Sequence, residues 1–181
     1  MPAWLALCLP LTKYFENCEL VAYCDPGSPL GHALQAANLW YSYLHDRSVA
    51  TAPRFAGLSG APWTCGWGST GSDVTQDTIW TQATADGRLI QRLLLAGQAV
   101  DRLVAITITA AQKAALSDFT FNEGEGHLAQ STLLRKLNAG ELVAASQEFL
   151  KWDEAGGRVM TGLELRRKAN EELFTTGVWH P

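Results

Sequence analysis

The sequence predicts an α+β fold, with a small sheet confined to the N-terminal part and helices making up the rest. Three observations carry that expectation. Leu20–Cys24 and the stretch that opens at Trp63 have strand-like composition, and both lie among turn formers: Asp25-Pro26-Gly27 after the first, Gly66, Gly68 and Gly71 within the second. From Thr81 onward the pattern changes to helical spacing, with Ala85, Leu89, Leu93, Ala96, Val100 and Leu103 on one stripe. The composition, 181 residues with 47% hydrophobic and 18% charged, belongs to a folded chain of one domain or of two lobes sharing one long helix.

The elements follow in order. Leu5 to about Glu19 reads as a helix with Leu5, Leu9, Tyr14 and Phe15 as core contacts; Pro10 is a misfit inside it. Its apolar opening lacks a basic start and is too short to span a bilayer, so it reads as part of a packed helix. Past the first strand, residues 28–62 form the least regular region. Leu30 to about His45 suits one helix, and Pro53, Gly57, Gly60 and Pro62 mark an irregular loop. Thr81 is placed to cap the long helix to Leu103, and Thr109 with Gln112 has the form of a capping box. Ser131 or Thr132 caps a short helix stopped by Gly140. Glu141–Trp152 is the next helix, broken at Gly156-Gly157, and Leu163–Phe174 is the last. The expected organisation is one domain: a small α/β lobe over about 14–80 with an insertion at about 28–62, and a helical lobe of about 81–181 plus the N-terminal helix.

Net charge of -4 argues against a nucleic-acid partner. Arg135, Lys136, Arg166, Arg167 and Lys168 are candidates for a local basic patch. Cys8, Cys18, Cys24 and Cys65 form no C-x-x-C pair, so they read as buried free thiols, with no metal site expected.

Glu16 at a helix end and Asp25 past a strand can hold two carboxyls on opposite sides of a groove. Glycoside hydrolysis needs such a pair, one protonated to help the leaving oxygen and one anionic. With 18 acidic residues the pair alone decides little. The longer pattern Phe15-Glu16-x-x-x-Leu20-x-Ala22-Tyr23-x-Asp25, followed by Trp63-Thr64-Cys65-Gly66-Trp67-Gly68-Ser69-Thr70-Gly71, resembles the N-terminal signature of the phage-type lysozymes, glycoside hydrolase family 24. Phe121-Asn122-x-Gly124-x-Gly126, Ser131–Asn138 with Gly140, and Trp152-x-x-Ala155-Gly156-Gly157 through Gly162-Leu163 to Arg166-Arg167 are similar to that family's helical lobe, in the same order.

The resemblance implies a lysozyme-like α+β fold, mainly helical, with a small N-terminal β-sheet lobe and an active-site cleft between lobes. It implies an endolysin that hydrolyses the β-1,4 bond between N-acetylmuramic acid and N-acetylglucosamine in peptidoglycan, with inversion and without a cofactor. Glu16 matches the catalytic glutamate, Asp25 the aspartate that follows it, and Thr64 the threonine that helps to hold the attacking water. Arg166 matches an arginine near the glutamate, and Asn122 a polar cleft residue. A monomer without stable membrane insertion is implied, waiting in the host cytoplasm before acting in the periplasm. A lytic transglycosylase and a non-catalytic wall-binding protein are the alternatives; Asp25 with Thr64 speaks against the first, and the intact set of Glu16, Asp25 and Thr64 against the second. Trp63, Trp67 and Trp152 suit core positions better than sugar stacking.

The chain departs from the family pattern in four places. Asn17 stands where glycine is usual, Ser69 where histidine is common, and His127 where a small or apolar residue is usual. Residues 26–63 separate Asp25 from Thr64 where a short hairpin is usual. Loop closure costs grow only logarithmically, so the insertion need not spoil the site.

Overall fold

The computed structural model describes the backbone of residues 1–181 and every side chain except that of Ala155. Two compact units divide it: Glu16–Leu89, called the sheet unit here, and Met1–Phe15 with Ile90–Pro181, the helical unit. No helix of the described residues is long and apolar enough to cross a membrane.

The sheet unit is built on β1 (Glu19–Cys24) and β2 (Trp63–Gly66), paired antiparallel with Tyr23 opposite Thr64 and Cys24 opposite Trp63. The other edge of β1 is covered as well. Ala22 N donates to Thr78 O at 2.9 Å and Trp80 N to Leu20 O at 2.8 Å, so the segment around Ile79 satisfies backbone groups that an open edge would leave to water.

The insertion is structured. Helix α2 (Pro29–Ala36) starts with Pro29 in its first turn and with the Ser28 hydroxyl accepting from Gly31 N at 3.0 Å. The single helix expected over Leu30–His45 is two. Asn38 takes a left-handed φ of 55°, Leu39 N returns to Leu34 O at 2.9 Å, and α3 (Trp40–His45) starts afresh. Asparagine tolerates that conformation better than most residues. Arg47–Thr51 and Pro53–Phe55 are 3-10 turns where an irregular loop was expected. Leu30, Leu34, Tyr43 and Phe55 are buried together against Cys24 of β1. That cluster gives the insertion its own apolar core, each such side chain contributing about 1.5–3 kcal/mol on burial.

In the helical unit, α1 (Ala3–Phe15) buries Leu5, Cys8, Leu11 and Thr12, a stripe at helical spacing. The expected contacts Leu9 and Tyr14 lie off it; Tyr14 is exposed and Leu9 half-buried. Pro10 stays inside the helix because it lies on the exposed side, where the carbonyl left without its donor can be hydrated. The long helix α4 (Gln82–Leu103) follows its predicted stripe, and its residues from Ile90 on belong to this unit. Helix α5 (Ala110–Glu123) opens with the predicted capping box, Thr109 and Gln112 exchanging bonds at 2.8 and 3.1 Å. It packs on α1 and on α9 (Thr161–Thr176).

Between these lie α6 (Glu125–Gln130), α7 (Thr132–Asn138) and α8 (Leu142–Phe149). Ser131 caps α7, accepting from Leu134 N at 3.0 Å. Helix α8 ends at Phe149, short of the expected Trp152. Beyond it, β3 (Glu154–Ala155) and β4 (Arg158–Val159) make a hairpin that the sequence reading missed. Gly156 and Gly157, both at positive φ (59° and 73°), form its turn rather than a simple break.

Two further expectations need correcting. Arg166 and Arg167, offered for a surface basic patch, are 3% and 0% exposed. The cysteines are all free; three are buried and Cys18 is half-buried.

Candidate active site

Asp25 leaves β1 directly after Cys24, and its position is fixed by backbone bonds. Its N–H lies between Gly60 O and Pro62 O, at 3.0 and 3.1 Å, so the far end of the insertion is tied to it. Its carbonyl accepts from Ser28 N at 3.0 Å and from Ser28 Oγ at 2.7 Å. Its Oδ1 accepts from Gly27 N at 2.7 Å, which closes an Asx turn. Asp25 is thus a turn former, as its place before Pro26 allows, and a half-buried carboxylate as well. Gly31 is required beside it: a Cβ there would stand 2.3 Å from Asp25 O and 2.7 Å from Pro26 O.

Thr64 is 8% exposed and sits opposite Tyr23 in the ladder. The ladder ends with Cys24 opposite Trp63, so Asp25 stands one residue past it and two residues after Tyr23, the partner of Thr64. Glu16 is the half-buried residue that follows α1 and opens the sheet unit.

The Tyr23 hydroxyl reports on this neighbourhood. Burial chiefly pushes its pKa up, the carboxylates of Glu19 and Glu16 push the same way, and hydrogen bonding to Thr64 and the charge of Arg47 oppose them. Tyr23 faces Thr64 across the ladder and lies two residues before Asp25. Sequence reasoning placed Tyr23 in the motif and gave it no role.

Arg47 was missed too. It is an insertion residue whose Nε donates to Ala22 O at 3.0 Å and whose Nη2 donates to Val21 O at 3.0 Å and Glu19 Oε2 at 3.1 Å. Its Nη1 donates to Tyr43 O at 2.7 Å and to Leu44 O. The guanidinium also lies 5.1 Å from the Tyr43 ring centre and 5.8 Å from that of Tyr23. No local sequence signal marks it, since all its partners but Tyr43 and Leu44 are far along the chain.

The two other predicted residues lie in the helical unit. Arg166 forms a bidentate pair with Asp118, Nε to Oδ2 at 3.0 Å and Nη2 to Oδ1 at 2.8 Å. Asp118 is fully buried and also accepts from Thr12 at 2.8 Å and Asn170 at 2.9 Å. Burial alone would raise its pKa; Arg166, Asn170 and Thr12 outweigh it and hold the carboxyl below the usual range. The signal for Asp118 was available: a carboxylate inside the apolar face of a helix needs a buried cation. Asn122 is exposed at the end of α5, and its Oδ1 accepts from Arg167. Arg167 is held further by Glu123, by Asn170 at 3.0 Å and by Trp152 O at 3.0 Å; its burial lowers its pKa. Trp63, Trp67 and Trp152 are each half-buried; Trp67 donates to Asp86 at 2.7 Å, and Trp152 meets Phe119 edge-on at 5.2 Å.

A mainly helical chain with a small two-stranded antiparallel sheet, an aspartate directly after one strand and a threonine on the other, has a lysozyme-like α+β fold. Two solved structures are similar over most of the chain. The muramidase domain of SpmX from Asticaccaulis excentricus is 27% identical with a TM-score of 0.69, covering 93% of this chain and 94% of that one. A P22 lysozyme variant is 25% identical with a TM-score of 0.66, with the same coverage, 93% and 94%. An endolysin of Bacillus phage B103 is 40% identical over 115 residues, 64% of this chain and 44% of that protein, so the chain spans less than half of that relative's length. The family model described as phage lysozyme matches residues 50–170. The chain belongs to the phage lysozyme family. The match takes in Thr64, Asn122 and Arg166 and begins after Glu16 and Asp25.

Proposed function

We propose that the chain is a muramidase, an endolysin that hydrolyses the β-1,4 bond between N-acetylmuramic acid and N-acetylglucosamine in bacterial peptidoglycan. The observation that carries this reading is the placement of Asp25 directly after β1 and of Thr64 on the paired strand β2, with Asp25 locked by its backbone and Glu16 in the same compact unit. In it, Glu16 donates a proton to the leaving glycosidic oxygen. Asp25 works as the anion: its Oδ1 is engaged by Gly27 N, and its other oxygen takes a proton from the attacking water. The Thr64 hydroxyl orients that water. Attack on the face opposite the leaving group inverts the anomeric carbon and needs carboxyls farther apart than the roughly 5 Å of retaining enzymes.

Asn122 and Arg166 keep the supporting roles that the family resemblance implies for them. The whole chain acts as one catalytic domain, as a monomer, on peptidoglycan in the periplasm after accumulating in the host cytoplasm.

Turbidity clearing of permeabilised Gram-negative cells tests the reading. Glu16→Gln and Asp25→Asn are each expected to cut the rate by at least about 10²-fold with unchanged thermal unfolding. Either variant retaining near-wild-type clearing overturns the assignment. Anhydromuramic ends among the products would replace hydrolysis by transglycosylation.

A further inference from the structure

Between the insertion, the two strands and residues 76–79 lies an open cavity of about 730 Å³ that the proposed chemistry does not use. Ala22, Leu30, Tyr43 and Phe55, all buried, make an apolar floor, and Trp63 lines it. At the mouth stand two exposed apolar side chains, Val21 and Ile79, the second 73% exposed. Besides Arg47, the polar lining is Ser48, Thr51, Ser59, Gln76 and Asp77. The size suits one or two sugar rings.

The lining selects a ligand chemistry. Arg47 is the cation at the cavity, and its donors are already taken by four carbonyls and by Glu19. An anionic ligand would find no unengaged cation there. What remains are hydroxyls, a primary amide and one carboxylate around an apolar, aromatic floor. Hydroxyls of a neutral sugar can pair with the first set, and C–H faces and an acetyl methyl group can bury in the second.

The cavity is also joined to the candidate site. Its wall at Ser59 and the residues after it carry the bonds that fix Leu30 (Leu30 N to Ser59 O, 3.0 Å) and Asp25 (to Gly60 O and Pro62 O). Trp63 immediately precedes Thr64 in β2.

We infer that this cavity is an accessory saccharide subsite that holds an N-acetylated amino sugar of the glycan strand, away from the bond that is cut. The inference rests on the muramidase reading for the identity of the polymer. Its binding arm is independent of turnover.

The probe is the β-1,4 trimer of N-acetylglucosamine, titrated into the full chain carrying Glu16→Gln and followed through the NMR methyl signals of Ile79, Ala50 and Ala56. These signals are expected to shift with the trimer and to stay put with its de-N-acetylated counterpart. Asp77→Ala removes the rim carboxylate, and Ala56→Trp fills the space from an exposed position. Each is expected to weaken trimer binding at these signals about tenfold and to raise KM on peptidoglycan several-fold. Absent shifts at the three residues, equal shifts with the deacetylated trimer, or undiminished binding in both variants overturn the inference. If the wild-type chain fails to clear cells while the trimer still shifts these signals, the muramidase reading falls and the subsite stands. If it clears cells and neither variant changes KM or binding, the subsite falls and the muramidase reading stands.

Discussion

Asp25 in the sheet unit and Asp118 in the helical unit are both carboxylates with several fixed bonds, yet they are held in opposite ways. Asp25 is held by its backbone: N–H to Gly60 O and Pro62 O, carbonyl to Ser28, and one side-chain oxygen to Gly27 N. Asp118 is held by its side chain, with both oxygens accepting twice, from Arg166 and Thr12 on one and Arg166 and Asn170 on the other. A carboxylate whose acceptor capacity is filled by the protein works for the fold. One that is positioned through its main chain keeps acceptor capacity for something else. Fixing a group without saturating it is what a reacting site requires.

The largest expected effect breaks the saturated case. Asp118→Asn leaves Arg166 as a buried cation without its bidentate partner and is expected to cost about 3–5 kcal/mol in denaturant unfolding. Because the folded carboxyl titrates below its ordinary range, its contribution is present above the unfolded pKa, about 3.9, and is lost as pH falls through the lower folded value. Wild-type stability should therefore fall on acidification below about pH 4, and Asp118→Asn should flatten that slope. A loss under about 1 kcal/mol, with the slope unchanged, would mean that the buried pair contributes little.

A middle-sized effect sharpens the other side of the comparison. Arg47 ties the insertion to β1 through the carbonyls of Val21, Ala22, Tyr43 and Leu44, while its Glu19 partner is about one-third exposed (34%) and adds little. Arg47→Ala is expected to cost about 2–3 kcal/mol, chiefly from carbonyls left unpaired, and to speed hydrogen exchange across residues 28–62 before the helical unit responds. Arg47→Lys should recover less than half, since an ammonium cannot serve this fork of acceptors. Full recovery by lysine would reduce Arg47 to a point charge.

How far each unit was legible follows the same division. Strand β1, the Thr109 capping box and the Ser131 cap were readable because each is decided within a few residues. The insertion was not. Asn38 breaks α2 from α3, and the 3-10 turns form where Tyr43 and Phe55 pack beneath β1, a partner distant in sequence. The pairing of β1 with β2, which sets Thr64 opposite Tyr23, was approachable only through a family-like pattern, since the long insertion between the strands hides it from local reasoning. Asp118 was signalled by its place inside an apolar helix face, but its partner was not, since Arg166 lies 48 residues on. Arg166 and Arg167 looked like a solvated face for the converse reason: a charged pair in sequence does not reveal the buried acceptors that await it.

The smallest effect tests whether burial, rather than pairing itself, separates these cases. Arg102 pairs with Glu125 through Nη2 alone, 2.9 Å from each carboxylate oxygen, where Arg166 sets both Nε and Nη2 on Asp118. Its side chains are 58% and 48% exposed, so water already solvates both charges and little is gained by bringing them together. Arg102→Ala is expected to change unfolding free energy by less than about 1 kcal/mol, and by less again in high salt, because the screening length at 1 M is about 3 Å. Equal costs for the Arg102 and Asp118 variants would break the argument, because an ion pair would then count the same whether exposed or buried. A several-fold smaller cost for Arg102 would assign the difference to the water that Asp118 and Arg166 have lost.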